Sequence, residues 1–317
     1  MKLINLGKKI AVGALVGTML FSLTACGGNK TTETTNEGKT NTATTEETKN
    51  TAEEPAKEAT TGAIDVISRE QGSGTRGAFT EIVGLVEKNA SGEEEDKTSP
   101  EATVQNSTNA VMTAVANDTA SVGYISLGSL NDTVKAVKVE GVEASADNIK
   151  SGEYKIARPF NIVYKSDLPK EAQDFLDFIM SDEGQEIATA EGYVGDPQGK
   201  TYEPSGNSAH ITISGSTSVT PLMEKLVAAY QVHNPDFQAD IQATGSSAGI
   251  KDAQSGAAVL GMASRELKDT ETGIEKTVIA MDGIAVIVSK DSTVEDLTIE
   301  QIKNIFNGTT TDWSEVQ

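Results

Sequence analysis

The chain holds one cysteine, Cys26, and only two histidines, His210 and His233. One thiol cannot build a disulfide framework, and so few Cys and His side chains cannot make a structural zinc site and leave little for thiol or imidazole catalysis. Positive charge is scarce as well: 26 Lys and Arg stand against 47 Asp and Glu, a formal net charge of −21. A polyanion would meet repulsion rather than a steering field, so nucleic acid is excluded as a partner. P-loop lysine motifs, metal-ligand clusters and Ser/His/Asp sets are absent, so neither a cofactor nor a metal nor catalysis is expected. The N-terminal apolar segment, Ile10 to Leu23, is too short to span a bilayer comfortably.

That segment has another use. Lys2, Lys8 and Lys9 precede it and Leu23-Thr24-Ala25-Cys26-Gly27 ends it, which is the anatomy of a signal peptide over residues 1–25. The ending resembles a bacterial lipobox, which implies that Cys26 becomes the mature N-terminus and carries palmitate or related acyl chains. Each buried methylene adds about 0.8 kcal/mol, so several chains would hold the protein on the extracytoplasmic face of the cell membrane. Residues 26–62 are mostly Thr, Glu, Asn and Lys with almost no large apolar side chain, and read as a disordered tether.

From Ala63 onward strand-like alternation and helical periodicity take turns, which predicts an α/β fold. Strands are expected at 64–68, 121–127, 158–164, 210–214, 259–264 and 278–288, with a strand pair over 134–142. Helices are expected after residue 74 (Phe79, Ile82, Val83 and Val86 on one face), at 111–116, at 171–181 and 183–191, along Leu222 to Tyr230, and around Ile302 to Phe306. Residues 91–100 read as a loop, and 193–208, rich in Gly, Pro, Ser and Asn, as an internal linker. Aromatic and Met positions are expected in the core.

Three strand-to-helix junctions share one composition: Ile213-Ser-Gly-Ser-Thr-Ser-Val-Thr-Pro221, Ala243-Thr-Gly-Ser-Ser-Ala-Gly-Ile250 and Ser68-Arg-Glu-Gln-Gly-Ser-Gly-Thr-Arg-Gly77. Alone, each is an ordinary capped helix start or Gly-Ser turn. Converging, they would present unpaired N–H groups, hydroxyl donors and positive helix ends to a small oxyanion, with Arg69 adding a guanidinium fork.

Those motifs, with Gly261-Met-Ala-Ser-Arg-Glu-Leu267 and Asp282-Gly-Ile-Ala-Val286, resemble the phosphate-specific solute-binding proteins of bacterial ABC importers over nearly all of 63–317. The resemblance implies a periplasmic-binding-protein-like fold of two α/β lobes, with a ligand cleft between them and two crossing hinge segments. It further implies a monomer that binds inorganic phosphate and delivers it to an ABC permease and ATPase. The motif order departs from the family's: the Ser68 motif, which there follows the Asp312-Trp-Ser-Glu-Val316 segment, here precedes everything. A circular permutation is therefore expected, with lobe II split between 63–153 and 287–317 and lobe I continuous over 154–286, bridged by 193–208. An incomplete tandem, assembling by domain swapping, is the rival.

Carried over by motif, the phosphate-binding residues are Thr217, Ser218 and Ser246, with Ser264 where many relatives place an aspartate, and Arg69, Ser73, Gly74 and Thr75 from the other lobe. Asp282 is expected to accept the ligand proton or to pair with Arg69, failing which it is a surface carboxylate. Arg76 and Arg265 are expected at the cleft rim, and Arg158-Pro159-Phe160 and Ala285-Val286 at the hinges. Sulfate or molybdate as ligand, or a non-transporting phosphate sensor, are the alternatives; an enzyme on phosphate esters lacks its motifs.

Overall fold

The computed structural model describes residues 59–89 and 94–316; the expected signal peptide, Cys26 and most of the expected tether lie outside the described residues. Strand β1 (Asp65–Arg69) runs into helix α1 (Gly74–Ile82), and the short strands β2 (Val86–Lys88) and β3 (Glu94–Asp96) pair with each other. Then come β4 (Thr103–Gln105), α2 (Thr108–Ala116) and β5 (Ser121–Ser126), followed by β6 (Val134–Ala136), β7 (Lys138–Val139) and α3 (Ala146–Lys150). After β8 (Ala157–Tyr164), α4 (Lys170–Ile179) and α5 (Asp182–Ala190), a second run begins: β9 (His210–Gly215), α6 (Thr220–His233), β10 (Gln238–Gln242), α7 (Ser246–Ser255) and β11 (Leu260–Ala263). The long β12 (Glu275–Ser289), β13 (Asp296–Leu297) and α8 (Ile299–Phe306) finish the fold.

The main sheet has the order β10-β9-β11-β8-β12-β5-β1-β4. At one end β10, β9 and β11 are parallel, and at the other β4, β1 and β5 are parallel. The same β-α-β-α-β connection thus occurs twice, and the antiparallel pair β8–β12 joins the two halves. β12 is opposite β8 from Glu275 to Gly283 and opposite β5 from Ile284 to Val288. Its near-continuous apolar run, Ile279 to Val288, suits a strand covered on both faces.

Two main cores flank this crossing. One gathers Phe160, Phe175, Phe178, Leu222, Tyr230 and Phe237, the other Phe79, Tyr124, Ile284, Val286, Phe306 and Trp313. Met223 and Met262 are fully buried, so these aromatic and Met positions are core, as their residue types suggest. Phe79 stacks on Tyr124 at 3.9 Å, and the Tyr124 hydroxyl bonds Ser68 Oγ (2.9 Å) and accepts from the Arg69 N–H (3.2 Å). Core packing therefore fixes the backbone from which Arg69 projects.

Local structure departs from the sequence reading at several points. Val86 lies in β2 rather than on α1, because Gly84 at φ 74° turns the chain and the Leu85 N–H returns to the Thr80 carbonyl. β6 and β7 do not pair with each other: β6 joins β12 and β7 joins β13. Residues 94–96 form a strand instead of loop. The 193–208 stretch is a fastened strap: Val194 exchanges backbone bonds with Met281 (2.8 and 2.9 Å), Tyr202 donates to Asp174, and Asn207 donates to Tyr230 Oη and the Glu171 carbonyl (both 2.8 Å). Among the described residues no helix is long and apolar enough to cross a membrane.

The described N-terminal residues lie against the C-terminal segment. The Trp313 N–H donates to Gly62 O (2.9 Å), the Ile64 N–H to Thr311 O (2.8 Å), and Trp313 Nε1 to Ala120 O (2.7 Å). Trp313 is fully buried. Replacing it with alanine should cost about 3–5 kcal/mol, read as a lower urea midpoint.

Candidate functional site

Each parallel strand set delivers its helix starts at the carboxyl ends of its strands, where ligands of open α/β sheets gather. The β1–α1 junction carries Arg69 and Ser73 to Thr75, the β9–α6 junction Ser216 to Ser218, and the β10–α7 junction Ser246. These junctions meet. Arg69 Nη2 donates to Thr217 Oγ1 (3.0 Å), Thr75 Oγ1 bonds Ser218 Oγ (2.8 Å), and the Ser247 N–H donates to Gly72 O (3.1 Å). A Cβ on Gly74 would stand 2.3 Å from Ser246 Oγ and 2.7 Å from Ser264 Oγ, so this approach requires glycine.

Inside the junctions the hydroxyls form a chain. Ser218 N–H donates to Ser216 Oγ (3.2 Å), Ser216 Oγ to Ser264 Oγ (2.8 Å), and Ser264 N–H to Ser246 Oγ (3.1 Å). Ser73 caps α1 by accepting from the Arg76 N–H (3.3 Å), which leaves its own O–H to donate. Ser73, Thr75, Ser216, Ser218, Ser246 and Ser264 are all buried.

Arg69 is the charge in this cluster. It is 1% exposed, its Nε and Nη2 donate to the Glu70 carboxylate (both 2.9 Å), and its Nη1 is buried without a hydrogen-bond partner. A buried, unpaired guanidinium N–H is costly, and an oxyanion is the group that relieves it. Glu70, rather than Asp282, is the acid that holds Arg69.

Asp282 corrects the sequence reading. It is fully buried rather than at the surface, and it faces Arg158 across the β8–β12 ladder instead of pairing with Arg69. Arg158 Nε (3.1 Å) and Nη2 (2.9 Å) donate to its Oδ2, and Ser126 Oγ donates to Oδ1 (3.0 Å). Burial pushes the Asp282 pKa above the ordinary carboxylate value, against the opposing pull of the Arg158 charge and hydrogen bonds and those of Ser126 and Gly128. The crossing on β12 also lies earlier than Ala285-Val286, between Gly283, opposite Ala157, and Ile284, opposite Ser126; Ala285 and Val286 are already paired with β5.

Arg76 and Arg265 offer no free charge. Arg76 binds Asp96 (2.7 Å) and the Arg69 carbonyl, and Arg265 holds Glu271 through two bonds (2.8 and 2.7 Å) and is buried. Thr108 is a residue the sequence reading missed: its Oγ1 lies 3.3 Å from Ser218 Oγ. The signal was there, since Asn106-Ser107-Thr108 opens α2 with Ser107 as cap, but the preceding strand has only three residues. No group of three or more His, Cys, Asp or Glu side chains is placed to hold a metal among the described residues.

Gly74→Ala tests the closed arrangement. Position 74 is the first residue of α1 and has no left-handed φ, so alanine suits its own helix and the variant should fold. It should nonetheless keep the two halves apart, read as a larger radius of gyration in small-angle scattering.

The profile of the PBP superfamily domain matches residues 30–183 and 200–317. The phosphate-binding protein PstS 2 of Streptococcus agalactiae serotype V is 50% identical over 258 residues, 80% of this chain and 88% of that protein. PstS 2 of Streptococcus pneumoniae serotype 4 is 39% identical over 315 residues, 98% and 99% of the two chains, so this order of segments is shared with that relative. The crystal structure of a phosphate-binding protein of a phosphate ABC transporter from S. pneumoniae TIGR4 superimposes with a TM-score of 0.66 at 43% identity, covering 81% of this chain and 100% of that one. The strand-to-helix junctions, the paired half-sheets and these matches agree: the chain belongs to the PBP superfamily and, within it, to the family of the PstS phosphate-binding proteins.

Proposed function

We propose that this protein captures inorganic phosphate outside the cytoplasm and presents it, in a closed cleft, to an ABC importer. The observation that carries the reading is Arg69 Nη1, a buried unpaired donor beside hydroxyls drawn from both halves of the sheet. Phosphate would take that N–H, the hydroxyls of Thr217, Ser218, Ser246 and Ser264, and the α1 start at Ser73, Gly74 and Thr75. Relatives named phosphate-binding proteins support the ligand, and their transporter context supports a permease and ATPase as partners.

Closure follows from where the donors lie. No half owns a complete set, so the ligand binds the closed form better and shifts the population toward it. In the closed form the hydroxyls bond one another; phosphate oxygens would replace Arg69–Thr217 and Thr75–Ser218 with bonds to a shared anion. The halves correspond in this reading to a split lobe, 63–153 plus 287–317, and a continuous one, 154–286, with residues 284–286 going over to the split lobe because they pair with β5. The meeting of the Gly62–Ile64 segment with Thr311–Trp313 supports circular permutation, since this chain's two ends then lie side by side where the family's order joins them. A lipid on Cys26 would hold the monomer at the membrane.

Ser264 favours one second reading, sulfate. Discrimination against sulfate requires an acceptor for the proton that phosphate retains, and a hydroxyl that can also donate supplies this less well than a carboxylate. Calorimetry on the purified chain should give saturable one-to-one phosphate binding. Arg69→Met should weaken it by roughly 100-fold or more, the loss of a charge-assisted pair in a buried site. Sulfate should compete measurably at neutral pH; binding of neither anion would overturn the assignment.

A further inference from the structure

The buried pair Arg158–Asp282 is unexplained by anion binding alone. Its side chains are 1% and 0% exposed, on directly opposed residues of the two strands that cross between the halves. Burying two charges is costly, and an apolar pair of similar volume often serves stability as well or better, so packing by itself gives no reason for ions here. What distinguishes this pair is its reach. Asp282 accepts from Ser126, at the end of β5 in the half that carries Arg69. Arg158 uses its remaining edge, Nη1, to donate to the backbone carbonyl of Ser264 at 3.1 Å. Ser264 in turn orients Ser246 through its N–H and receives Ser216 through its hydroxyl.

We propose that Arg158 is the positioning residue that couples the crossing strands to the anion site. While Asp282 stands opposite it, one face of the guanidinium is held by the β12 crossing and the other holds Ser264, so Ser264 and Ser246 are aimed only when the strands are in their closed register. Relative movement of the halves pulls Ser126 on β5 away from Asp282, which loosens the pair's hold on the Ser264 carbonyl. Burial chiefly, and the nearby Arg69 charge to a lesser degree, disfavour protonated Arg158 against the pull of Asp282, and a bound divalent anion would offset the Arg69 repulsion. Ligand capture and strand register then stabilise each other.

The inference rests on the phosphate reading, and the test separates the two. Wild type, Arg158→Lys and the double variant Arg158→Met/Asp282→Leu are titrated with inorganic phosphate by calorimetry, with melting curves and small-angle scattering on the same samples. Lysine keeps the charge but cannot reach Asp282 and the Ser264 carbonyl together; the double variant leaves no buried ion unpaired. Both should melt cooperatively yet bind phosphate at least about tenfold more weakly, the loss of a charge-assisted hydrogen bond, and contract less at saturation. A lowered melting temperature with unchanged phosphate Kd and unchanged contraction would overturn the role. In wild type, the Arg158 Nε–H resonance should shift on phosphate addition, which needs no variant; an unshifted resonance at saturation would also overturn it. Wild type that binds no phosphate would instead remove the phosphate reading.

Discussion

One antiparallel strand pair carries the architecture. β8 and β12 are the ladder at which the two half-sheets meet, and β12 exchanges its partner from β8 to β5 between Gly283 and Ile284. The main core on one side gathers around Phe160, Phe175 and Tyr230, and that on the other around Phe79, Tyr124 and Trp313. Because each half ends its parallel strands in helix starts beside this crossing, the donors of both converge on one place.

That convergence sets the electrostatics of an acidic protein. With a net charge of −21, a general positive field is not available, so an anion site has to be local. In the proposed site Arg69 would supply the charge, with Glu70 holding one edge of it, and hydroxyls and backbone N–H groups would supply the rest. Arg76 and Arg265, which also sit in the motifs, are each committed to a carboxylate and serve structure. The second buried arginine, Arg158, faces Asp282 in the sheet and reaches the site through a backbone carbonyl.

Much of this was legible in the sequence because the signals are local. The apolar run of β12, the stripe Leu222, Met223, Leu226, Val227 and Tyr230 on α6, and the Ser/Gly junctions each occupy a few consecutive turns or alternations. What was not legible depends on register or on very short elements. Nothing near Asp282 indicates that its partner lies 124 residues away on β8. The Ser107-Thr108 helix start followed a three-residue strand, too brief to establish alternation. The end of α1 turned on Gly84, whose positive φ outweighs the apolar spacing that continues to Val86. The 193–208 strap reads as linker by composition, yet Tyr202 and Asn207 fasten it to α4 and α6 through bonds that composition cannot reveal.

The central claim is that closure assembles one oxyanion site from both halves, with Arg69 Nη1 as its unfilled donor. A crystal structure of the chain grown with phosphate tests it most directly. The account predicts a phosphate oxygen within hydrogen-bond distance of Arg69 Nη1, with Thr217, Ser218, Ser246 and the Ser73–Thr75 helix start on the same ion. Phosphate bound elsewhere, or Arg69 Nη1 still without a partner in the bound form, would contradict it.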